Sequence, residues 1–317
     1  MNSRQRLIFQ SYKRLWRLAP PALHPRPAGA SVLLYHNVDD APSPYVRRLG
    51  VTMTTAEFEA HIRFLAETRT IVPFSRLAEH LDDPKAIAIT FDDGYRTIRS
   101  VALPILERFG VPFKAYVLAP SESGNAIWLN QLSYLLDTCS SSEVSRLARS
   151  AIGSDLPPDW RGDVTPFVEH FIETRTPAAI RDAFEGHRHE AMPDLYLSDE
   201  DIRALAEHPL VELGSHTRNH YPLHRVSHET IEAEVVLAHE ELTERYGEAI
   251  DGFCLPFGYR HHLTENVVRY IRKVDESVVS AYGGRMGAHS VHGVPEIRRI
   301  GAWGNLGVLW HQLRYEP

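Results

Sequence analysis

Two adjacent carboxylates follow one of the most apolar segments of the sequence. Residues 86–91 read Ala-Ile-Ala-Ile-Thr-Phe, a pattern typical of a buried strand, and Asp92, Asp93 and Gly94 come directly after them. Aspartate and glycine also favour turns, so this segment alone leaves an ordinary turn as an equal alternative. A buried strand, however, has no structural use for two neighbouring acids, and barrel strands deliver charged side chains to their open ends.

A His-x-x-x-His pair follows a second apolar-led segment. Residues 211–214 lead into Ser215 and His216, and His220 lies four positions after His216. Two neutral imidazoles and a carboxylate form a common ligand set for Zn²⁺ and related metals, with positions left open for water and substrate. The acid pair and the two histidines therefore predict a metal site at the ends of two strands.

Length, charge and cysteine content exclude several classes of protein. The chain has 317 residues, a formal net charge of -7 and two cysteines, Cys139 and Cys254. This length allows one large α/β domain or two ordinary domains. The negative charge argues against nucleic acid as the main partner. Two cysteines are too few for a disulfide framework or a cysteine-based zinc site.

The first 30 residues differ from the rest because they carry basic residues and no acids. Apolar residues recur there at helical spacing, namely Leu7, Ile8, Tyr12, Leu15 and Trp16. The longest apolar run, residues 7–9, is too short for a signal-peptide core or a membrane span. Two interpretations remain open. The segment is either a helix that packs on the domain or frays at the chain end, or a helix that makes peripheral membrane contact through residues 4–18. We expect a cytoplasmic or inner-face location.

Strands and helices alternate through most of the chain after residue 30. This order predicts a mainly parallel sheet, in the form of a distorted or incomplete (β/α) barrel over residues 31–317. The alternation is broken over residues 121–200, which hold helical patterns and no clear strand. We interpret this range as a helical insertion that walls a substrate groove or a partner surface.

Three segments in this order resemble the signature motifs of a known family. They are Thr90-Phe91-Asp92-Asp93-Gly94, Ser215-His216-Thr217-Arg218-Asn219-His220 and Leu255-Pro256-Phe257-Gly258. The motifs are similar to those of the polysaccharide deacetylases that share the NodB homology domain, carbohydrate esterase family 4. The resemblance covers roughly residues 31–113 and 199–300, and it implies a NodB-type barrel.

The resemblance implies a role for each polar residue of the first two motifs. Asp93, His216 and His220 would hold one divalent metal, Zn²⁺ first, with Co²⁺, Ni²⁺ or Mn²⁺ as alternatives. Asp92 would be the general base that takes a proton from the attacking water. The chemistry agrees, because a carboxylate beside a cation stays ionised and can accept a proton.

The leaving amine also needs a proton, and the resemblance places its donor near the start of the domain. Leu34-Tyr35-His36-Asn37-Val38 looks like the Tyr-His segment of the branch that deacetylates poly-N-acetylglucosamine. His36 is therefore the predicted general acid, and a structural histidine at a strand end is the alternative. Three C-terminal histidines lie outside the Leu-x-His motif that supplies the acid elsewhere in the family, namely His289, His292 and His311.

The third motif departs from the family pattern at its first position. Cys254 stands where the common motif has an arginine that orients the base, and the poly-N-acetylglucosamine branch often lacks that arginine. Arg260, Arg298 and Arg299 are candidates to replace it, and the sequence does not choose among them. A thiol nucleophile at Cys254 is a weaker alternative, because nothing in the sequence marks its thiolate as stabilised.

Residues near the motifs are candidates for contact with a sugar. Tyr95 and Trp303 are predicted to flank a sugar face, with core packing as the alternative for Trp303. The turn formed by Pro256, Phe257 and Gly258 is predicted to border the substrate. A backbone N–H after Asp93 or near Phe257 would stabilise the oxyanion of the tetrahedral intermediate.

The resemblance implies a metal-dependent hydrolase that removes N-acetyl groups and releases acetate. Its substrate would be the N-acetylhexosamine residues of a polysaccharide, such as an exopolysaccharide, or of a lipid-linked glycan. One alternative is a deformylase or another amide hydrolase that acts on a non-polymeric amine. A further alternative is a glycan-binding partner whose active site has decayed, against which the complete ligand set argues.

Overall fold

The strands of the central sheet run parallel, and their carboxyl ends meet at one edge of the sheet. The computed structural model describes residues 29–121, 126–156, 160, 162, 164–173, 178–187, 194–279, 289–302 and 304–315. The basic segment over residues 1–28, Trp303 and the side chain of His311 lie outside the described residues.

The described strands form one large sheet and two small ones. The strands, in chain order, are β1 (Ser31–Tyr35), β2 (Asn37–Val38), β3 (Thr52–Met53), β4 (Thr70–Ile71), β5 (Ala86–Phe91), β6 (Phe113–Val117), β7 (Val211–Ser215), β8 (Ile250–Phe253), β9 (Val278–Val279), β10 (Ser290–Val291), β11 (Val294–Ile297) and β12 (Ile300–Gly301). The large sheet has the order β12-β1-β5-β6-β7-β8, and β4 also pairs with β5. Strands β10, β11 and β9 form the second sheet, and β2 and β3 form the third.

Register within the large sheet brings the motif strands to a common level. Tyr35 of β1 is paired with Phe91 of β5, and Val117 of β6 is paired with Ser215 of β7. Ser215 is in turn paired with Phe253 of β8. The residues that follow these strands therefore emerge side by side at the carboxyl edge of the sheet.

The sheet curves toward a barrel without closing into one. Cys254, just after β8, forms a single parallel bridge with Val279 of β9. Among the described strands, hydrogen bonds do not continue from the small β9 sheet to β12. The prediction of an α/β fold with a distorted or incomplete barrel is confirmed.

Helices flank the sheet and occupy the region between β6 and β7. The described α-helices are α1 (Pro44–Arg47), α2 (Thr55–Thr68), α3 (Leu103–Phe109), α4 (Trp128–Thr138), α5 (Ser141–Ile152), α6 (Thr165–Glu173), α7 (Ala178–Glu185), α8 (Asp199–Ala206), α9 (His228–Glu232), α10 (Ala238–Tyr246), α11 (Glu265–Ile271) and α12 (Leu306–Tyr315). Among these described helices, none is long and apolar enough to cross a membrane.

Local sequence signals explain where several helices begin and end. Thr54 and Glu57 form a capping box at the start of α2, and Ser140 and Glu143 form one at the start of α5. Such boxes satisfy backbone N–H groups that have no partner within the helix. Helix α3 ends at Gly110, whose φ of 62° is in the left-handed region that glycine adopts without steric cost.

The described residues form several apolar clusters, of which two are the largest. The first lies between the large sheet and its flanking helices, and it includes Phe58 of α2, Phe91 of β5 and Leu205 of α8. The second belongs to helices α4–α7 and includes Leu132 and Phe167. The cluster also includes Tyr45 of α1 and Tyr95, so the apolar core of these helices continues into the rest of the chain. The division of the chain into a parent domain and an insertion remains a prediction.

A π-helical turn interrupts the helical segment over residues 228–246. It covers Ala233–Leu237, between α9 and α10. The extra residue of a π turn changes the direction of nearby side chains, and such turns are frequent at functional sites. Here the turn carries the buried Glu234.

Candidate metal centre and active site

The acid pair lies at the carboxyl end of β5, in the centre of the sheet. Asp92 and Asp93 are only 2% and 4% exposed to solvent. The backbone of Asp92 is still held by the strand register, because its N–H donates to Tyr35 O at 3.0 Å. Asp93 has a φ of 68°, which is uncommon for a residue other than glycine. The chain thus turns sharply at Asp93.

Three potential ligand atoms converge beside this turn. His216 Nε2 lies 3.5 Å and His220 Nε2 lies 3.4 Å from Asp93 Oδ1. All three residues are buried, and their ligand atoms lie within 4.8 Å of one another. The structure brings together the residues that the first two motifs contribute.

The hydrogen bond of His216 fixes which of its ring nitrogens faces the site. Nδ1 lies 2.8 Å from Cys254 O, and a carbonyl oxygen can only accept, so Nδ1 carries a proton. In a neutral His216, Nε2 therefore presents a lone pair toward Asp93. Within the described residues, Asp93 Oδ1 also makes no hydrogen bond of normal geometry. A lone pair facing a carboxylate oxygen is unfavourable unless a cation or a proton lies between them, so these residues fit a divalent metal.

Burial and neighbouring charges shift the pKa values of the three residues. Burial lowers the pKa of His220 to about 4, and Asp93 offsets this only in part. Burial on its own would raise the pKa of Asp93, but its neighbours His216, His220 and His36 lower it. Burial would likewise lower the pKa of His216, yet Asp92 raises it well above its usual value. At neutral pH, Asp93 is therefore ionised and His220 neutral, whereas His216 carries a second proton that a metal bound there would displace.

A buried carboxylate holds the loop between the two histidines. Glu234 Oε2 accepts the backbone N–H groups of Arg218 at 3.0 Å and of Asn219 at 2.8 Å. Its other oxygen accepts from the side-chain amide of Asn219 at 2.7 Å. The π turn at Ala233–Leu237 places Glu234 for this role. No local sequence signal marks Glu234, because its partners lie on a different element.

Arg299 occupies the position beside Asp92 that the third motif leaves without an arginine. Its guanidinium donates to both oxygens of Asp92, Nη1 to Oδ1 and Nη2 to Oδ2, each at 2.7 Å. Of the other candidates, Arg260 is exposed and Arg298 donates to Glu296. Burial on its own would raise the pKa of Asp92, but the charge of Arg299 lowers it. Asp92 is therefore held ionised and in a fixed orientation.

Cys254 is buried beside the same pair. Its Sγ lies 2.9 Å from Arg299 Nη2 and 3.8 Å from Asp92 Oδ2. Burial raises the pKa of the Cys254 thiol, although Arg299 opposes the effect. A raised pKa and complete burial both argue against a thiolate nucleophile. Ligand atoms of Asp92, His216 and Cys254 also lie within 4.8 Å of one another, but Arg299 already engages both oxygens of Asp92.

His36 follows β1 and lies half-buried near the acid pair. Burial lowers the pKa of His36, and the charges of Asp93 and Asp92 oppose this. The C-terminal alternatives lie elsewhere. His292 Nε2 donates to Leu263 O at 2.9 Å, and His289 lines a cavity of about 1060 Å³ together with Lys114 near the amino end of β6. Both aspartates thus interact with His36, the predicted acid.

The candidate sugar contacts differ in their exposure. Tyr95 is only 1% exposed, its hydroxyl accepts from Asn130 Nδ2 at 3.0 Å, and its ring stacks on Tyr196. Tyr95 thus offers no exposed ring face for a sugar, and it instead joins β5 to the helices of residues 128–185.

The turn of the third motif lies against a metal-ligand candidate. Phe257 has a φ of 61°, and its ring centroid is 4.8 Å from that of His220. Pro256 is buried, and its carbonyl accepts the Gly258 N–H at 2.7 Å. Gly258 therefore uses its N–H within the turn.

The sequence matches a family model described as polysaccharide deacetylase over residues 164–274. This range holds the second and third motifs, whereas the acid pair precedes it. The Bacillus subtilis (strain 168) protein YxkH, described as a polysaccharide deacetylase, is 28% identical over 102 residues. That stretch is 30% of this chain and 34% of YxkH, so the chain spans about a third of the length of this relative.

Solved structures share the fold at low sequence identity. BC0361, a polysaccharide deacetylase from Bacillus cereus, has a TM-score of 0.56 at 15% identity, over 90% of this chain and 69% of that one. A de-N-acetylase from Aggregatibacter actinomycetemcomitans has a TM-score of 0.54 at 14% identity, over 89% and 99% of the two chains. At these identities the likeness shows the fold.

Proposed function

We propose that this chain removes N-acetyl groups from a glycan and releases acetate. Its similarity to the polysaccharide deacetylases in sequence and in fold indicates a hydrolase. The substrate is the N-acetylhexosamine of a polysaccharide, such as an exopolysaccharide, or of a lipid-linked glycan. The observation that supports the proposal most is the ionised Asp92, oriented by Arg299, beside the convergent ligand atoms of Asp93, His216 and His220.

In the proposed reaction, Asp93, His216 and His220 hold one divalent cation, Zn²⁺ first among the candidates. Bound there, the cation supplies Lewis acidity to the amide carbonyl and lowers the pKa of water. Asp92 accepts a proton from the attacking water, and Arg299 keeps its carboxylate ionised and aimed. The backbone N–H after Asp93 donates to the developing oxyanion. His36, whose charge interacts with those of both aspartates, gives a proton to the leaving amine.

Acetate release tests the proposal directly. The full chain, with its metal content measured, is incubated with acetylated amino-sugar oligomers and with lipid-linked acetylated sugars. We expect acetate and a free amine in equal amounts, and we expect a chelator to remove the activity. Formate release from formylated amines without acetate release would support the alternative of a deformylase. Metal binding without release of either acid would support a decayed glycan-binding partner.

The basic segment at the start of the chain supports a second, separate proposal. Residues 4–18 combine five basic residues with an apolar helical stripe, a composition that suits the surface of an anionic membrane. We propose peripheral contact at the inner face of the membrane, close to a lipid-linked or nascent glycan. Deleting residues 2–25 should release the protein from anionic vesicles and leave acetate release unchanged. Equal vesicle binding by both forms would contradict the contact.

A further inference from the structure

Trp128, although distant in sequence, contacts the backbone of His220, a candidate metal ligand. It is the first residue of α4, it is 1% exposed, and its indole Nε1–H donates to His220 O at 2.9 Å. Its ring also lies 6.0 Å from the ring of Phe257, which in turn lies 4.8 Å from that of His220. The helices of residues 128–185 therefore touch His220 directly and through Phe257.

His220 depends on such contacts because its backbone is in an unfavourable region. Its φ is 56°, a left-handed conformation that costs a residue with a Cβ about 1 kcal/mol or more unless its surroundings hold it. The His220 N–H donates to Thr217 Oγ1 at 3.1 Å, and the carbonyl accepts from Trp128. Both backbone polar groups of His220 are thus engaged, one within the loop and one by α4.

Helix α4 is fixed to the parent domain at the same end. Asn130 Nδ2 donates to Tyr45 O at 2.9 Å and to Tyr95 Oη at 3.0 Å. Tyr196 Oη donates to Asn130 Oδ1 at 2.7 Å. These buried bonds set the position of Trp128, so that the indole meets His220 as part of a rigid arrangement. Glu234 holds the two residues before His220, but the carbonyl of His220 itself is bonded by Trp128.

We propose that Trp128 is a positioning residue that sets the metal affinity of the site by holding His220 in its ligating conformation. The inference rests on the proposed metal site and adds to it a function for the helices of residues 128–185. Loss of a residue that orients a metal ligand typically lowers metal affinity by about 10- to 100-fold, because the ligand is no longer held in its binding conformation. By linkage, metal bound at His220 must stabilise the contact with α4 to the same extent.

Zinc binding to the full chain tests this, with no need for a glycan. Trp128→Phe keeps an aromatic ring and removes the indole N–H. We expect its dissociation constant for Zn²⁺, measured by competition with a coloured chelator, to rise about tenfold. Leu132→Ala is the control for lost packing, because Leu132 is 0% exposed in the same apolar cluster as Trp128 and its side chain cannot donate a hydrogen bond to His220 O. It should lower the melting temperature and leave the zinc constant unchanged.

Hydrogen exchange of the unmodified chain decides the question if Trp128→Phe does not fold. Adding Zn²⁺ should slow exchange over residues 126–138, and His220→Gln should remove that effect. An unchanged zinc constant in folded Trp128→Phe, an equal rise in Leu132→Ala, or no zinc-dependent protection of residues 126–138 would each overturn the inference. If the unmodified chain binds no Zn²⁺, the metal site fails and this inference fails with it, whereas acetate release is tested separately.

Discussion

Arg299 donates two parallel hydrogen bonds of 2.7 Å to Asp92, and neither residue is more than 2% exposed. Paired N–H···O bonds of this kind fix orientation as well as charge. Burying a carboxylate without a partner is strongly unfavourable, so the arginine allows an ionised acid to exist inside the barrel. Asp92 is consequently available as a base at neutral pH, and its proton affinity depends on Arg299.

Arg299→Lys should therefore change the pH dependence of acetate release. The charge of Arg299 lowers the pKa of Asp92, so a weaker partner should raise that pKa and move the acidic limb of kcat/KM to higher pH. Asp92 is active as a base only above its pKa, so the loss should be greatest at low pH. At neutral pH we expect a drop on the order of 100-fold, the lower end of what a general base contributes. An unchanged acidic limb, with normal zinc content, would contradict the role of Arg299.

Asp92 and Asp93 should respond differently to the same substitution, since one is proposed as base and the other as ligand. Asp93→Asn should lower zinc content and activity together, and His216→Ala should do the same. Asp92→Asn should keep the zinc and lose acetate release by about 10²- to 10⁴-fold. Metal analysis and acetate release on the same samples separate the two roles. Loss of zinc in Asp92→Asn would reverse the assignment.

Local sequence patterns predicted the fold and the proximity of the motifs. They did not predict the contacts that orient the motif side chains. Parallel strands end at one edge of a sheet, so residues placed directly after β5 and β7, which only β6 separates, were expected at the same edge. Arg299 and Trp128 reach the site from elements far along the chain. Their roles depend on the packing of the folded molecule, and neither has a spacing or a neighbour in sequence that marks it.

The direction of the Tyr95 side chain is a second feature that the sequence did not predict. Its place directly after the acid pair and Gly94 suggested a sugar contact, but the side chain packs inward against Tyr196 and Asn130. Adjacency in sequence does not fix which way a side chain points once the backbone turns at Asp93. The left-handed φ of Asp93 sets that turn. Sequence alone therefore located the strand end and left open which neighbouring side chains face the substrate.

His36→Gln should affect substrates according to their leaving group. An amine leaves only with a proton, whereas the phenol of an aryl acetate leaves without one. We expect about a 100-fold loss on an N-acetylated sugar and little change on an aryl acetate. Burial lowers the pKa of His36, so the alkaline limb of the amide reaction should fall below about pH 6.5 and disappear in the variant. Equal losses on both substrates would indicate a structural role for His36.

A histidine cluster outside the site should make the stability of the fold depend on pH. His262 is 2% exposed and stacks on His224, with ring centroids 4.2 Å apart. Burial and the charges of His224 and His261 lower the pKa of His262 to about 3.

Because the folded pKa of His262 is below that of the unfolded chain, its neutral form supports the fold above about pH 6.5, and that support is lost as pH falls. The contribution to the slope of unfolding free energy is at most about 1.4 kcal/mol per pH unit. Urea denaturation at several pH values between 4 and 7 gives the unfolding free energy as a function of pH. The slope of that free energy against pH should be smaller in His262→Gln than in the unmodified chain. His228→Gln is the control, because His228 is exposed and its substitution should leave the slope unchanged. Equal slopes in all three proteins would show that His262 does not titrate with unfolding.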